Sequence, residues 1–382
     1  MTNTISDPEE NDALSETQLP VGNTPTVSRD ATADLPGYIR IRSGGYIKRR
    51  RIASTLLTDV MLYKKIDGTG DDFVVLKKAF TPTDIKDEDR QERRQNERER
   101  NFNDAYSWHK LRGETRKGLT CILGKQYLVL PWMQGCTVQD ILDDTENLPN
   151  DTALHIGYKI ARKVHEMHQK NIVHCDLKPG NVMLMPNGEV ELLDFNISKI
   201  RDQRLGVKNK DNRPAGTPEF MPPEQWTEFH EHNPHGPISP LTDVYAFGHS
   251  LYAMVAGKML VNKYGLGAQA DHEQGLRPSQ SRPDVLLGNF VDELEKIDDP
   301  QMQTILKKML MSWQHNRASI EEIEELLHQE CLRRGIDPDG PLFRKIDVAP
   351  DASIDTHSVV EGLHDAQKQR SRLSDRREKD AA

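Results

Sequence analysis

An α+β fold in two lobes, a small antiparallel sheet with one helix followed by a larger helical part, is what this 382-residue sequence predicts. Three observations predict it. From Tyr38 to Tyr127 short runs of strand-forming residues dominate. After Gly135 the apolar period becomes helical, with Ile156, Ile160, Val164 and Met167 on one side of a helix over Ala153 to Lys170. Further helical patterns then fill most of 242–333. The length suits two domains or one large two-lobed one.

Taken in order, residues 1–36 are rich in Asp, Glu, Ser, Thr and Pro and have no apolar period. Such a segment buries too little surface to offset its ordering entropy, so it is expected to be disordered. It lacks the basic start, apolar stretch and small-residue cleavage site of a signal peptide. The runs YIRIRS, GGYIKRRRIAST, DVMLYKKI, FVVLKKAF, LTCIL and YLVLPW read as strands. Between them Asp84 to Asn103 is dense in mixed charge and has no apolar stripe until Phe102, Tyr106, Trp108 and Leu111. That pattern predicts a helix whose first half is solvated and whose last turns pack on the sheet. VMLM and VELL flank Pro186-Asn187-Gly188, a hairpin signal. The longest apolar run, Val244 to Leu260, contains His249 and Lys258 and is short of a membrane span, so a buried helix is expected. Beyond Ile336 the chain turns polar, with a surface helix expected over Asp355 to Lys379. These shifts divide the chain into 1–36, 37–134, 135–335 and a polar tail, 336–382.

Composition narrows the function. A net charge of −9 argues against a general nucleic-acid binder. Cys121, Cys136, Cys175 and Cys331 are scattered without C-x-x-C pairs, which suits a reducing compartment and hence the cytoplasm. The stretch HCDLKPGNVML, His174 to Leu184, places an Asp and an Asn five residues apart with a Lys between them. That collection suits the holding of a metal and a phosphate. Three further stretches follow: Leu193-Asp194-Phe195-Asn196, GTPEFMPPEQW from Gly216 to Trp226, and LTDVYAFG around Asp243, with Arg317 later in HNRAS.

Together these stretches resemble the eukaryotic-type protein kinases, Ser/Thr branch, from about Tyr38 to Cys331. The resemblance implies ATP as phosphoryl donor, magnesium (or manganese) as metal, and a protein Ser/Thr hydroxyl as acceptor. Asp176 would position that hydroxyl and accept its proton, and Lys178 would stabilise the transferring phosphoryl group. Asn181 and Asp194 would hold the metal. Asn196 stands where the family has glycine; Asn enters the left-handed region readily, so the turn is expected to form with less freedom to switch. Glu224 with Arg317, and Asp243 beneath the catalytic loop, would be structural.

In the strand FVVLK the resemblance implies a lysine for the α- and β-phosphates. Alternation puts Val75 and Lys77 on one face, beside the adenine, with Lys78 the runner-up. Glu99 is the expected glutamate partner of Lys77, since Phe102 and Tyr106 follow on its face; Glu97 and Glu92 are the alternatives. Leu130 would be the gatekeeper, and Pro131 and Met133 would meet the adenine through backbone groups. The largest departure is the phosphate loop. In register with the family's glycine-rich loop the chain has Ala53, Ser54, Thr55, Leu56, Leu57, Thr58, Asp59 and Val60, with no glycine. Glycine lets backbone N–H groups approach phosphate closely, so weaker ATP binding is expected here, with Thr55 and Thr58 offering hydroxyls.

Cys175 replaces the arginine that, in most relatives, pairs with a phosphorylated loop residue. The intervening loop, KIRDQRLGVKNKDNRPAG, contains no Ser, Thr or Tyr. Acceptor and receptor of that phosphate are both missing, which implies ordering without loop phosphorylation or by an activating protein partner. Thr217 resembles the structural threonine near Asp176 and Lys178. A redox or metal role for Cys175 is the rival; a buried thiol is usually inert. His230, His232 and His235 read as a solvated loop, and His168 as packing near the catalytic loop. Two rival functions are a pseudokinase scaffold and a small-molecule phosphotransferase. The divergent loops and charged insert would also suit a bacterial protein delivered into a host cytosol, by fold-level analogy.

Overall fold

A computed structural model describes residues 37–41, 44–54, 58–66, 72–79, 103–111, 119–122, 125–145, 147–200, 216–226, 236–258 and 291–381. The chain divides into two compact units, Met1–Asn101 with Arg116–Trp132, and Phe102–Thr115 with Met133–Ala382.

The first unit is a six-stranded antiparallel sheet. Its strands are β1 (Tyr38–Ile41), β2 (Gly44–Ser54), β3 (Thr58–Lys65), β4 (Phe73–Ala79), β5 (Leu119–Ile122) and β6 (Lys125–Pro131), in the order β1-β2-β3-β4-β6-β5. The period of two sorts side chains onto two faces. Ile39, Tyr46, Met61, Tyr63, Val74, Leu76, Tyr127 and Val129 form one buried cluster. Leu62, Phe73 and Val75 form the other, with Ile52, Val60, Leu130 and Trp132 packed against it. Register shifts at Lys48/Arg50 and Arg51/Ala53 bend β2 before its end.

The second unit is mainly helical. Its first described helix, α1 (residues 103–111), belongs to this unit. The reason is local: Trp108 meets the Phe195 ring edge-on at 6.3 Å and Ser107 Oγ lies 2.9 Å from Ser198 Oγ. The helix α2 (Val138–Asp144) starts in a capping box made by Thr137 and Asp140. In α3 (Asn150–Gln169) the expected stripe of Ile156, Ile160, Val164 and Met167 is buried, each side chain contributing roughly 2 kcal/mol. The short strands β7 (Cys136–Thr137), β9 (Val182–Leu184) and β10 (Val190–Leu192) form one sheet, and β8 (Ile172–Val173) pairs with β11 (Lys199–Ile200). The expected Asn-Gly hairpin joins β9 and β10, with Gly188 at φ 76.

Of the helical stretch expected over 242–333, α4 (Pro223–Trp226) precedes it and α5 (Pro240–Ala256), α6 (Pro300–Met309) and α7 (Ile320–Arg333) occupy its described part. Ser239 caps α5 and Pro240 opens it; Gly257, left-handed at φ 65, closes it. Among the described residues no helix is long and apolar enough to cross a membrane.

The tail is less detached than its polarity suggests. Ile336, Leu342, Phe343 and Ile354 are buried. Leu342 N–H donates to Gly188 O at 3.0 Å and Ile346 N–H to Pro186 O at 2.9 Å, so the tail lies along the β9–β10 turn. It continues to Gln134, whose carbonyl accepts from Ile354 N–H at 2.7 Å and whose amide donates to Ala349 O at 2.6 Å. The last helix, α8 (Thr356–Ala381), buries Val359 and Leu363 and starts beside Asp144, which accepts from the Thr356 hydroxyl.

Candidate active site

The loop after β8 is tied down from below by one buried carboxylate. Asp243, in the first turn of α5, accepts from His174 N–H at 2.8 Å and Cys175 N–H at 2.9 Å, and faces His168 Nε2 at 2.8 Å. Cys175 is thereby held at φ 65, a conformation that few non-glycine residues adopt. Its thiol is buried and donates to Val173 O at 3.6 Å, an arrangement that favours the inert reading over a redox one.

Above this support the polar side chains of the loop converge. Thr217 Oγ1 donates to Asp176 Oδ1 at 2.7 Å and accepts from Lys178 Nζ at 2.6 Å, while Lys178 Nζ lies 3.1 Å from Asp176 Oδ2. Asn181 Nδ2 donates to Asp176 O at 2.7 Å and to Asp176 Oδ2 at 3.2 Å. With the amide nitrogen so engaged, the Asn181 side-chain oxygen is the atom that could take a cation. Leu193 N–H donates to Asn181 O at 2.9 Å, which sets the Asp194 turn beside Asn181 in the backbone ladder.

That turn departs from expectation in one respect. The left-handed residue is Asp194, at φ 61, and not Asn196. Ser198 N–H closes a turn onto Phe195 O at 3.0 Å, which leaves Asn196 at a central position that right-handed turns fill with any residue. The turn is anchored by Phe195, 1 % exposed, whose ring lies 5.0 Å from the His174 ring and whose N–H donates to Asp104 Oδ1 at 3.2 Å.

The far end of the loop is fixed by a second buried carboxylate. Glu224 and Arg317 are both fully buried at the side chain, with Arg317 NH1 and NH2 at 2.5 Å and 2.8 Å from the two Glu224 oxygens. Thr242 Oγ1 adds a donor to Glu224 at 3.1 Å, and Tyr245 lies under the guanidinium at 4.8 Å. His249 sits nearby with its ring against Tyr245 and Phe220. Burial, and then the Arg317 charge, push its imidazole down to about 3.

The described residues expected at the nucleotide lie in the first unit, except Met133, which belongs to the second. Val60, Val75 and Leu130 share one face, and Lys77, half-buried, alternates onto it in register with Val60 and Leu128. Leu76 belongs to the opposite cluster. Ala53 and Ser54 end β2 and Thr58 opens β3, so strands occupy both flanks of the expected loop. Thr55 lies outside the described residues, as do Glu92, Glu97, Glu99, the three histidines at 230, 232 and 235, and 201–215. Pro131 closes β6 opposite Val74, and Met133 follows two residues later, outside any strand or helix.

Two contributors escape a reading by spacing. Asp104 is 1 % exposed, and with Ser107 and Trp108 it makes one face of α1 toward the Phe195 turn. Its sequence signal was an i, i+3, i+4 set ending in Trp108, hidden in a charge-dense run. Gln225 is the other, 2 % exposed, its amide donating to Cys175 O at 2.8 Å.

The oxygens of Asn181 and Asp194 fit magnesium, a hard cation commonly held by one or two protein carboxylates with the rest from water and phosphate. No group of three or more His, Cys, Asp or Glu suited to a metal occurs among the described residues.

The fold and this loop define a phosphotransferase-like protein. Residues 63–330 match the protein kinase domain, and the chain belongs to that family. It is 31% identical over 140 residues to a "Probable serine/threonine-protein kinase" of Clostridium perfringens, 36% of this chain and 18% of that protein. It is 30% identical over 132 residues to the serine/threonine-protein kinase RUNKEL of Arabidopsis thaliana, 35% of this chain and 9% of that protein. It is 29% identical over 136 residues to PknA of Corynebacterium glutamicum, 35% of this chain and 26% of that protein. The chain thus spans a quarter or less of the length of most of these curated relatives.

Proposed function

We propose that the chain transfers the γ-phosphate of ATP to serine or threonine hydroxyls of proteins, without activation through phosphorylation of its own loop. The observation that carries this reading is the Asp176–Thr217–Lys178 triangle with Asn181 beside it. Phosphoryl transfer asks for positioning and charge neutralisation more than for covalent chemistry, and this group supplies both. Asp176 takes the proton of the acceptor hydroxyl. Lys178, 3.1 Å from that carboxylate, offsets charge on the group in transit. Asn181 and Asp194 would hold magnesium, which when bound would neutralise charge on the phosphate oxygens. Lys77 serves the α- and β-phosphates, and Val60, Val75 and Leu130 offer an apolar face to the base. Thr217 on Lys178 supports the Ser/Thr branch, and the named relatives point the same way.

The test is transfer of label from γ-labelled ATP to a generic basic protein with magnesium or manganese, alongside Asp176→Ala and Asp194→Ala. Label on serine or threonine that vanishes in both variants is expected. Nucleotide binding without any transfer would overturn the reading in favour of a scaffold.

A further inference from the structure

The peptide joining Cys175 to Asp176 is pinned at both ends. Its carbonyl accepts from Gln225 Nε2 at 2.8 Å, and its N–H faces His174 Nδ1 at 3.3 Å. His174 Nε2 lies 2.8 Å from Leu193 O, so the ring donates there and Nδ1 is the acceptor for Asp176 N–H. The Asp176 backbone is therefore set by two side chains, one of which, Gln225, comes from α4, just beyond the loop that follows the metal-binding turn. Gly216, at φ 131, makes room for this. A Cβ there would stand 2.7 Å from Gln225 Nε2 and 3.2 Å from Cys175 O, wedged into the bond.

We propose that Gln225 is a positioning residue for Asp176, and that its neutral, permanently formed hydrogen bond replaces a phosphate-dependent link between loop and catalytic residue. The proposal rests on the kinase reading above. Its logic is chemical: Cys175 offers no cation to a phosphate and 199–216 offer no hydroxyl to carry one, yet the loop end must still be held against Asp176. An amide–carbonyl bond does this without an activating event, and the buried position keeps water from competing for it.

The experiment compares the full chain with Gln225→Met, which keeps volume and removes the donor, with Gly216→Ala, and with the double variant. Each single change is expected to lower kcat about ten-fold with the ATP KM within about two-fold, because one buried carbonyl is left unpaired. The double variant is expected to lose less than the product of the two, since both changes break one bond; the strain of alanine at φ 131 is what Gly216→Ala adds of its own. A Gln225→Met kcat within about two-fold of wild type overturns the proposal, as do fully multiplicative losses. Amide exchange across 174–178 decides the matter independently of turnover. Faster exchange there in Gln225→Met, with α3 unchanged, supports the pinning, and unchanged exchange overturns it. A wild-type chain that transfers no phosphate overturns the kinase reading instead, and the exchange result still stands or falls alone.

Discussion

Arg317→Ala removes five hydrogen bonds at once, because every guanidinium donor is used. Nε donates to Met311 O, NH1 to Glu224 and Leu241 O, and NH2 to Glu224 and Ser312 O. Among the described residues the variant leaves a fully buried carboxylate with the Thr242 hydroxyl as its remaining donor. Breaking such a pair from one side costs about 3–5 kcal/mol. At roughly 2–4 °C per kcal/mol for a domain of this size, the melting temperature should fall by roughly 6–20 °C. Arg317→Lys keeps the charge but has no planar fork to reach three carbonyls and a carboxylate, so it should lose about half as much. A Glu224→Met, Arg317→Met double variant should be more stable than Arg317→Ala, since no charge is stranded. Thermal unfolding followed by tryptophan fluorescence reads all three. An Arg317→Ala protein that melts within about 2 °C of wild type would refute the reasoning, because the pair would then contribute no more than an exposed one.

Three other outcomes are expected. Stability should fall as pH drops from 6.5 toward 4. Burial, then the Lys159 charge, hold His155 down to about 4, and burial, then Arg317, hold His249 down to about 3. In that window the unfolded chain binds the protons and the folded one does not, so each imidazole costs about 2 kcal/mol by pH 5. Urea unfolding at pH 7 and 5 should show a shallower loss in His155→Gln and His249→Phe; an unchanged slope would contradict the assignment. Phe343→Ala should destabilise by about 3–5 kcal/mol through the cavity it leaves beside the β9–β10 turn, and a loss below about 1 kcal/mol in denaturant would show that the tail is not part of the core. Thr55→Gly with Thr58→Gly should lower the ATP KM in steady-state kinetics, since backbone N–H groups could then approach phosphate; an unaltered KM would show that the glycine-free loop costs nothing.

What the sequence made legible was whatever a fixed period or spacing encodes. Strand alternation put Val75 and Lys77 on one face, where Val75 packs with Val60 and Leu130, and the helical stripe from Ile156 to Met167 is buried as its period required. The five-residue spacing from Asp176 to Asn181 was enough to place both in one loop, because their contacts are local. Contacts made at long range were not legible. Asp104 looks like one more charge in a solvated helix; its burial depends on Phe195, 91 residues later. Gln225 is an unremarkable polar residue until Cys175, 50 residues earlier, presents a carbonyl to it. The tail read as polar because Leu342, Phe343 and Ile354 follow neither a helical nor a strand period, yet each fills the core. Asn196 was assigned the left-handed position by analogy with glycine, whereas the hydrogen bonds of the turn put Asp194 there.

The central claim, a protein kinase assembled for transfer without loop phosphorylation, is tested most directly by the time course of a phosphate-free protein. The full chain would be treated with a phosphatase, freed of it, and shown by intact mass to carry no phosphate. Transfer to a Ser/Thr substrate would then be followed from the first seconds. The account predicts a linear course with no lag and the same kcat as untreated protein. A lag, or a loss of rate restored by preincubation with ATP, would contradict it.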